Sequence, residues 1–460
     1  MNPQEYDLIL RNGWIVTESE VIQGDIAVRD EKIVEIVSKL NPSLNARLEI
    51  DATGLHVLPG LIDTHVHLNE PGRTEWEGFA SGTRSLAAGG VTTFFDMPLN
   101  SNPPVTTIHG LSLKKEAAEK HSILDYGFWG GLVPGNLDSL ESLKESGVVG
   151  FKGFMSKSGM DEFQHVDDHT LFHGMKKIAN LGSILALHAE SDVITEGLAA
   201  IAITQGHRSV RDYCASRPIL SEVEAVGRAT AFAEATECKL HILHVTSGEV
   251  IKQINLAKRK GVDVTVETCP HYLSLNVRDF ERLGGLAKCA PPLRDQEHIE
   301  TLWAALASGE IDIVGSDHSP APPDLKIDSN GDIFRVWGGI SGAQSTLHVM
   351  LEEGYWRRNI SLETISRVTS TNPAKRFGLY PRKGVIAIGS DADLTLVDLH
   401  STFQLKTSDL YYRHPQSPYV GKTFRGTILF TLLRGRLVFE KGEIVHSGIH
   451  PRRISVDCKI

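Results

Sequence analysis

Residues 57–67 read VLPGLIDTHVH, an apolar run that leads directly into two histidines two positions apart. Side chains two apart on an extended strand point to the same side, so His65 and His67 can face one cation together. Alone, such a pair is weak evidence, because buried histidines more often serve as polar core residues than as metal ligands. The pair becomes informative only if other strands end in the same way.

Four further apolar runs also end in an ionisable or metal-binding side chain. They are residues 147–151 before Lys152, 183–187 before His188, 240–243 before His244, and 311–316 before Asp317. In a parallel α/β barrel the carboxyl ends of the strands form one face, so such side chains converge there. The pattern therefore predicts a metal site made of these four residues with His65 and His67.

Lys152 is an unusual member of this set, because Val149, Phe151 and Phe154 surround it in the sequence. Burying an unpaired ammonium costs several kcal/mol, and nearby cations would repel it. Carboxylation by carbon dioxide would turn the amine into an anionic carbamate with two oxygens, able to bridge two metals. The alternatives are a lysine whose amine reaches solvent and one that pairs with a carboxylate.

Both ends of the chain predict short strands and tight turns. Asn12 and Gly13 lie between apolar runs, which is the strongest short hairpin signal. Residues 432–442 also read as consecutive hairpins. We therefore expect the two termini to pair into one small β domain.

The middle of the chain, residues 57–378, alternates short apolar runs with longer amphipathic segments. This alternation indicates a parallel sheet covered by helices. Periodicity alone leaves open whether the sheet is flat or closed into a barrel.

Composition limits the possible partners and the location. The chain has 460 residues, a formal net charge of −10 and five widely spaced cysteines (Cys214, Cys238, Cys269, Cys289 and Cys458). The length suits a large barrel with a smaller domain, and the negative charge argues against nucleic acid or an anionic membrane as partner. Residues 1–6 resemble no signal peptide and no apolar run is long enough to span a membrane. We therefore expect a cytoplasmic enzyme with a small-molecule substrate.

Residues 58–67 resemble the metal signature of the amidohydrolase superfamily, and in particular of the cyclic amidohydrolases. Residues 150–155 are similar to the carboxylated-lysine segment of that group, and residues 188–190, 244–247 and 315–318 fit its remaining ligand segments. The resemblance implies a distorted (β/α)8 TIM-like barrel over residues 57–380. It also implies a small β-sandwich built from residues 1–56 and 381–460.

The resemblance further implies two divalent metals, usually zinc, although cobalt and manganese suit the same ligands. His65, His67 and Asp317 would hold one metal, and His188 and His244 the other. Carboxylated Lys152 and a hydroxide would bridge them. His241 and His318 are expected to be structural rather than ligands. A homo-oligomer, specifically a tetramer, is also implied.

Residues 67–78, HLNEPGRTEWEG, help to discriminate among the relatives. Dihydroorotases place an arginine two residues after the second histidine, where it binds the substrate carboxylate. This chain has Asn69 there, which suits a neutral partner, or simply a turn. Residues 75–78 and 96–101 resemble the allantoinases. Hydantoinases usually carry a tyrosine soon after the lysine motif, where this chain has SKSG at residues 156–159.

The resemblance implies hydrolysis of the hydantoin-ring amide of allantoin to allantoate, a step of purine and ureide catabolism. The bridging hydroxide would attack the carbonyl, with Asp317 as general base and then acid. Asn69, Asn100, Ala290 and Gly339 are expected to orient the substrate. The alternatives are a hydantoinase/dihydropyrimidinase or dihydroorotase-type cyclic amidase, and a non-catalytic relative that uses the barrel as a scaffold.

Overall fold

The computed structural model describes residues 6–327, 331–445 and 448–455, so Cys458 and the first five residues lie outside the described residues. Its strands are β1 (Tyr6–Val16), β2 (Val21–Arg29), β3 (Lys32–Val37), β4 (Ala46–Asp51), β5 (His56–Pro59), β6 (Leu61–Val66), β7 (Val91–Asp96), β8 (Asp125–Gly131), β9 (Gly150–Phe154), β10 (Ile184–His188), β11 (Lys239–Ile242), β12 (Val264–Thr268), β13 (Ile313–Val314), β14 (Leu394–Gln404), β15 (Thr423–Leu433), β16 (Arg436–Glu440) and β17 (Glu443–Ile444).

The α-helices are α1 (Phe79–Ala88), α2 (Ile108–His121), α3 (Leu140–Glu145), α4 (Asp168–Asn180), α5 (Asp192–Thr204), α6 (Val210–Ser216), α7 (Ile219–Thr236), α8 (Gly248–Arg259), α9 (Val277–Leu283), α10 (Gln296–Ala307), α11 (Thr346–Val349), α12 (Leu362–Ser366) and α13 (Asn372–Arg376). Within the described ranges, no helix has the length and apolar character required to cross a membrane.

The two ends of the chain form one mixed sheet of nine strands, in the order β17-β16-β15-β14-β5-β1-β2-β3, with β4 paired to β1. β5 and β14 join the two ends, because Pro59 pairs with Leu394 in an antiparallel ladder. The expectation that the termini build one β structure is confirmed. The predicted division between residues 56 and 57 falls inside β5.

The hairpin predicted at Asn12 and Gly13 was wrong. Both residues lie inside β1, where the register with β2 shifts between Leu10 and Gly13, as in a β-bulge. Asn12 has the positive φ of 61° that the motif predicted, but the chain does not reverse. A Cβ on Gly13 would lie 2.9 Å from Val57, so the absence of a side chain at this position lets β1 lie close to β5. The hairpins predicted over residues 432–442 are present as β15–β16 and β16–β17.

The middle of the chain forms an eight-stranded parallel sheet in which β6 to β13 lie in sequence order. The sheet closes because Val66, at the end of β6, bridges in parallel to His318, just beyond β13. The His67 amide donates to the His318 carbonyl at 2.7 Å. Strands buried on both faces explain the near-continuous apolar runs. The expected distorted (β/α)8 barrel is confirmed, and closure settles the question that periodicity left open.

A buried cluster of charges joins the barrel to the terminal sheet. Lys383 Nζ lies 2.8 Å from Asp125 at the start of β8 and 2.5 Å from Asp393 just before β14. Arg434, in the β15–β16 turn, also binds Asp125. Burial lowers the pKa of Lys383, but the surrounding carboxylates outweigh it and raise the pKa overall. The ammonium therefore stays charged and holds the two parts of the chain together.

We expect Lys383→Met to destabilise the protein by about 3–5 kcal/mol, because it leaves buried carboxylates without their partner. The measurement is the midpoint of urea unfolding. Lys260→Met is the matched control, because the Lys260 ammonium pairs with Glu234 at 3.5 Å on the exposed surface, where such pairs contribute less than about 1 kcal/mol. Equal shifts in the two variants would contradict a role for the buried cluster.

Candidate active site

The six residues predicted as a metal site meet at the carboxyl end of the barrel and line one cavity. His65, Lys152 and His188 lie in β6, β9 and β10. His67, His244 and Asp317 lie one to three residues beyond β6, β11 and β13. Only Asp317 has notable exposure, with 13% of its side chain accessible. The strand-end pattern in the sequence therefore corresponds to a cluster in space.

One half of the cluster consists of His65, His67 and Asp317. Asp317 Oδ1 lies 3.2 Å from His65 Nε2 and 3.5 Å from His67 Nε2, and one donor atom from each residue lies within 4.8 Å of the others. Two ligands bound about 2.1 Å from one tetrahedral cation are separated by about 3.4 Å. These three side chains therefore fit a single divalent cation.

The other half pairs His188 with His244, whose Nδ1 and Nε2 atoms lie 3.1 Å apart. Burial lowers the pKa of both rings, although Glu190 opposes the shift at His188. Both imidazoles are therefore neutral, which is the form that binds metals. The His65 and His244 rings lie 5.6 Å apart, so the two halves adjoin.

The Lys152 amine lines the same cavity as both halves, in a setting that disfavours its charge. Its Nζ is buried without a hydrogen-bond partner in the described part of the chain and lies 4.4 Å from the Phe154 ring centre. Burial lowers the pKa of Lys152 to about 7, although Asp317 and Glu267 oppose the shift. An unpartnered buried amine beside four imidazoles fits the predicted carbamate better than it fits a free ammonium.

Cys269, His271 and Asp317 form a second group with metal-ligand spacing. Burial raises the pKa of the Cys269 thiol well above its usual value, so this sulfur is protonated and a weaker ligand. Both groups share Asp317, which makes them alternatives for that carboxylate.

Glu267, at the end of β12, is a site residue that sequence reasoning missed. Its carboxylate contacts His65 Nδ1 at 2.8 Å and Thr64 Oγ1 at 2.7 Å. Burial raises the pKa of Glu267, but the hydrogen bonds from His241 and His65 prevail and lower it to about 2. Glu267 thus turns His65 Nε2 toward Asp317. The signal was an acid inside the apolar run VTVET of residues 264–268.

Three other buried polar residues adjoin the predicted ligands in the chain or in space. Glu190 accepts from His188 Nε2 at 2.8 Å and lies 3.3 Å from Arg217. His241 contacts Glu267 at 3.2 Å. His318 accepts from the Gly342 amide and stacks on Tyr412.

Three of the four predicted substrate residues line the cavity, namely Asn100, Ala290 and Gly339. Asn100 Nδ2 lies 3.2 Å from His67 Nδ1, and its Oδ1 is buried without a partner among the described residues. Asn69 is not among the described residues that line the cavity. Its amide donates to the Pro320 carbonyl at 3.3 Å, one residue beyond the lining residue Ser319.

Comparison with known proteins gives consistent results along the whole chain. Residues 56–438 match the model of the amidohydrolase family. The allantoinase of Deinococcus radiodurans is 51% identical over 437 residues, which is 95% of this chain and 96% of that protein. The allantoinase of Solibacter usitatus is 49% identical over 444 residues, or 96% of each chain.

Solved structures of related enzymes share the fold of this chain. The L-hydantoinase (dihydropyrimidinase) of Arthrobacter aurescens superposes with a TM-score of 0.93 at 35% identity, covering 96% of this chain and 98% of that one. The dihydropyrimidinase of Brevibacillus agri NCHU1002 superposes with a TM-score of 0.89 at 31% identity, covering 98% and 99%. The fold, the strand-end cluster and these matches lead to one conclusion: the chain belongs to the amidohydrolase family.

Proposed function

We propose that this enzyme hydrolyses the hydantoin-ring amide of allantoin and opens the ring to allantoate. The observation that carries the proposal is the identity of about half of the aligned residues with two bacterial allantoinases over nearly the full length of each chain. A hydantoinase or dihydropyrimidinase activity is the second candidate, because the solved relatives with those activities share the fold.

The cavity favours a neutral ring over an anionic one. No arginine is present among the described residues that line it, and the lysines among them are Lys152 and Lys157. The Lys157 ammonium forms a salt bridge with Glu196, and Lys152 lies within the cluster of predicted ligands. A carboxylate such as that of dihydroorotate would therefore lack the bidentate partner that suits it. Allantoin carries a neutral ureido group instead.

We propose that His65, His67 and Asp317 hold one divalent metal and that His188 and His244 hold the other, with carboxylated Lys152 between them. When bound, such a pair lowers the pKa of water and polarises a carbonyl. Zinc suits these ligands, as do cobalt and manganese. The assignment rests on the donor spacing and on the partnerless Lys152 amine.

Asp317 is proposed as the group that moves the proton. It is the only carboxylate among the described residues that line the cavity. Burial raises the pKa of Asp317, but His65, His67 and His244 outweigh it and hold the pKa well below its usual value. The ionised carboxylate can accept a proton from the attacking water and return it to the departing ring nitrogen.

Asn100, Ala290 and Gly339 are proposed to orient the substrate. If His67 Nε2 binds a cation, its Nδ1 carries the proton, and the Asn100 amide then has to turn so that Oδ1 takes the position of Nδ2, 3.2 Å from that nitrogen. Its N–H groups would then occupy the buried position where Oδ1 has no partner among the described residues, which a substrate carbonyl could supply. Asn69 is proposed to act from behind the cavity by holding Pro320 and the adjoining Ser319.

Assembly and location are also proposals. Helix α5 leaves Val193 and Ile201 85% and 55% exposed, which supports burial between copies of the chain, and we propose a homotetramer in the cytoplasm. Light scattering of the purified protein measures the mass, and a monomer would contradict the assembly.

We expect the purified enzyme to hydrolyse allantoin faster than hydantoin, dihydrouracil or dihydroorotate. Turnover should fall to background after chelation and return only with divalent metal and bicarbonate together, because the metals require the carbamate. Side-by-side assays of product formation, with metal content measured by elemental analysis, provide the test. A preference for dihydrouracil would favour the second candidate, and full activity without metal would refute the metal proposal.

Asp317→Asn should reduce kcat by about 10²–10⁴-fold, because the amide cannot take up the proton. The amide keeps an oxygen, so the variant should retain most of its metal. Glu297→Gln, on the exposed surface of α10, is the matched control and should keep the parent rate. An Asp317→Asn variant with the parent kcat would show that another group moves the proton.

Glu267→Gln should weaken metal binding by about 10–100-fold, because the Glu267 carboxylate orients His65. Competition with a chromogenic chelator measures this affinity. Glu281→Gln, at an exposed carboxylate that pairs with Arg211, should leave it unchanged. Equal affinities in the parent and Glu267→Gln would contradict the orienting role.

A further inference from the structure

Residues 334–339, which we call the wall segment, form one side of the candidate active site. Trp337, Gly338 and Gly339 line the cavity. The Trp337 ring packs edge-to-face on Trp76 with centres 4.8 Å apart. A Cβ on Gly339 would lie 2.3 Å from the Ser319 carbonyl oxygen, so the segment lies directly against the chain that follows Asp317. Small shifts of the wall segment therefore change the shape of the cavity.

Lys288 holds the first half of the wall segment. Its ammonium donates to the Phe334 carbonyl at 3.1 Å and to the Val336 carbonyl at 2.5 Å. The Lys288 Nζ also lies 4.6 Å from the centre of the Tyr213 ring. Lys288 is only two residues before Ala290 in the chain, so it connects two sides of the cavity.

Lys326 holds the second half in the same way. Its ammonium donates to the Trp337 carbonyl at 2.9 Å and to the Gly339 carbonyl at 2.5 Å. The two lysines thus engage four of the six carbonyls of the wall segment. The segment has little regular structure apart from one short 3-10 turn, so these carbonyls depend on partners outside it.

Both lysines are placed at an energetic cost. Lys288 and Lys326 have only 5% and 8% of their surface exposed, and burial lowers the pKa of each to about 7. For Lys288, Arg217 adds to the lowering, while Asp332 and Cys289 oppose it. Burying these two amines is unfavourable. Their hydrogen bonds to main-chain oxygens therefore indicate that they hold the wall segment and do not merely fill space.

We propose that Lys288 and Lys326 are positioning residues that fix the wall segment and thereby set the affinity for substrate. Neither amine lines the region occupied by the predicted metal ligands, so the effect should fall on binding more than on the chemical step. The kinetic part of this inference rests on the proposed function, whereas the structural part does not.

The test uses the metal-loaded enzyme with Lys288→Met or Lys326→Met, each of which keeps side-chain length but removes the donor. We expect KM for allantoin to rise about tenfold or more with kcat changed less than about threefold. Hydrogen exchange of peptides that cover the wall segment should accelerate, while metal content stays the same. Lys326→Arg, which retains cationic donors, should restore part of the protection.

Lys115→Met is the matched control, because Lys115 also donates to a main-chain carbonyl, that of Ser146 at 2.9 Å. It should change neither KM nor exchange at the wall segment. If the methionine variants fold poorly, Lys288→Gln and Lys326→Gln, which keep a shorter amide donor at each position, provide a second route and should raise KM and accelerate exchange at the wall segment to a smaller extent.

The inference is overturned if folded lysine variants keep the parent KM and the parent exchange rates. It is also overturned if kcat and metal content fall together while KM is unchanged. A parent enzyme inactive on every cyclic amide would refute the proposed function, but the exchange experiment would still decide whether the lysines hold the segment.

Discussion

The closure of the barrel between β6 and the segment after β13 is the constraint on which the site depends. The hydrogen bond from the His67 amide to the His318 carbonyl joins the first and last strands of the barrel. It places Asp317 beside His65 and His67, although some 250 positions separate them in the chain. Parallel strand order then brings Lys152, His188 and His244 to the same face.

Buried carboxylates below this face keep the ligands in place. Glu267 binds His65, and Glu190 binds His188, each on the ring nitrogen that points away from the predicted metal. Each carboxylate has a further partner, His241 for Glu267 and Arg217 for Glu190, which offsets part of the cost of burying its charge. The site is thus a layered polar network inside an apolar barrel.

Much of this arrangement could be predicted from the sequence, because strand ends are visible as apolar runs that stop at His65, Lys152, His188, His244 or Asp317. Barrel closure could not, since it depends on hydrogen bonds between distant segments. Asn12 and Gly13 were misinterpreted because a bulge and a hairpin require the same positive φ. Glu267 was missed because its role depends on neighbours from other strands.

The lysines of the wall segment lie beyond sequence reasoning for a similar reason. Lys288 and Lys326 occur in no pattern that distinguishes them from surface lysines, and only the folded chain shows that their amines reach main-chain oxygens. The periodicity of apolar residues indicates which face of a helix or strand is buried. It does not report which irregular segments need an external donor.

The pairing of β5 with β14 has a consequence for biosynthesis. While the ribosome is still making the barrel, β5 has an open hydrogen-bonding edge, because its partner has not yet been translated. Open strand edges are sites of aggregation. The edge of β5 therefore stays without this partner until β14 has been made, and a chain that stopped before residue 394 would leave it permanently unpaired on that side.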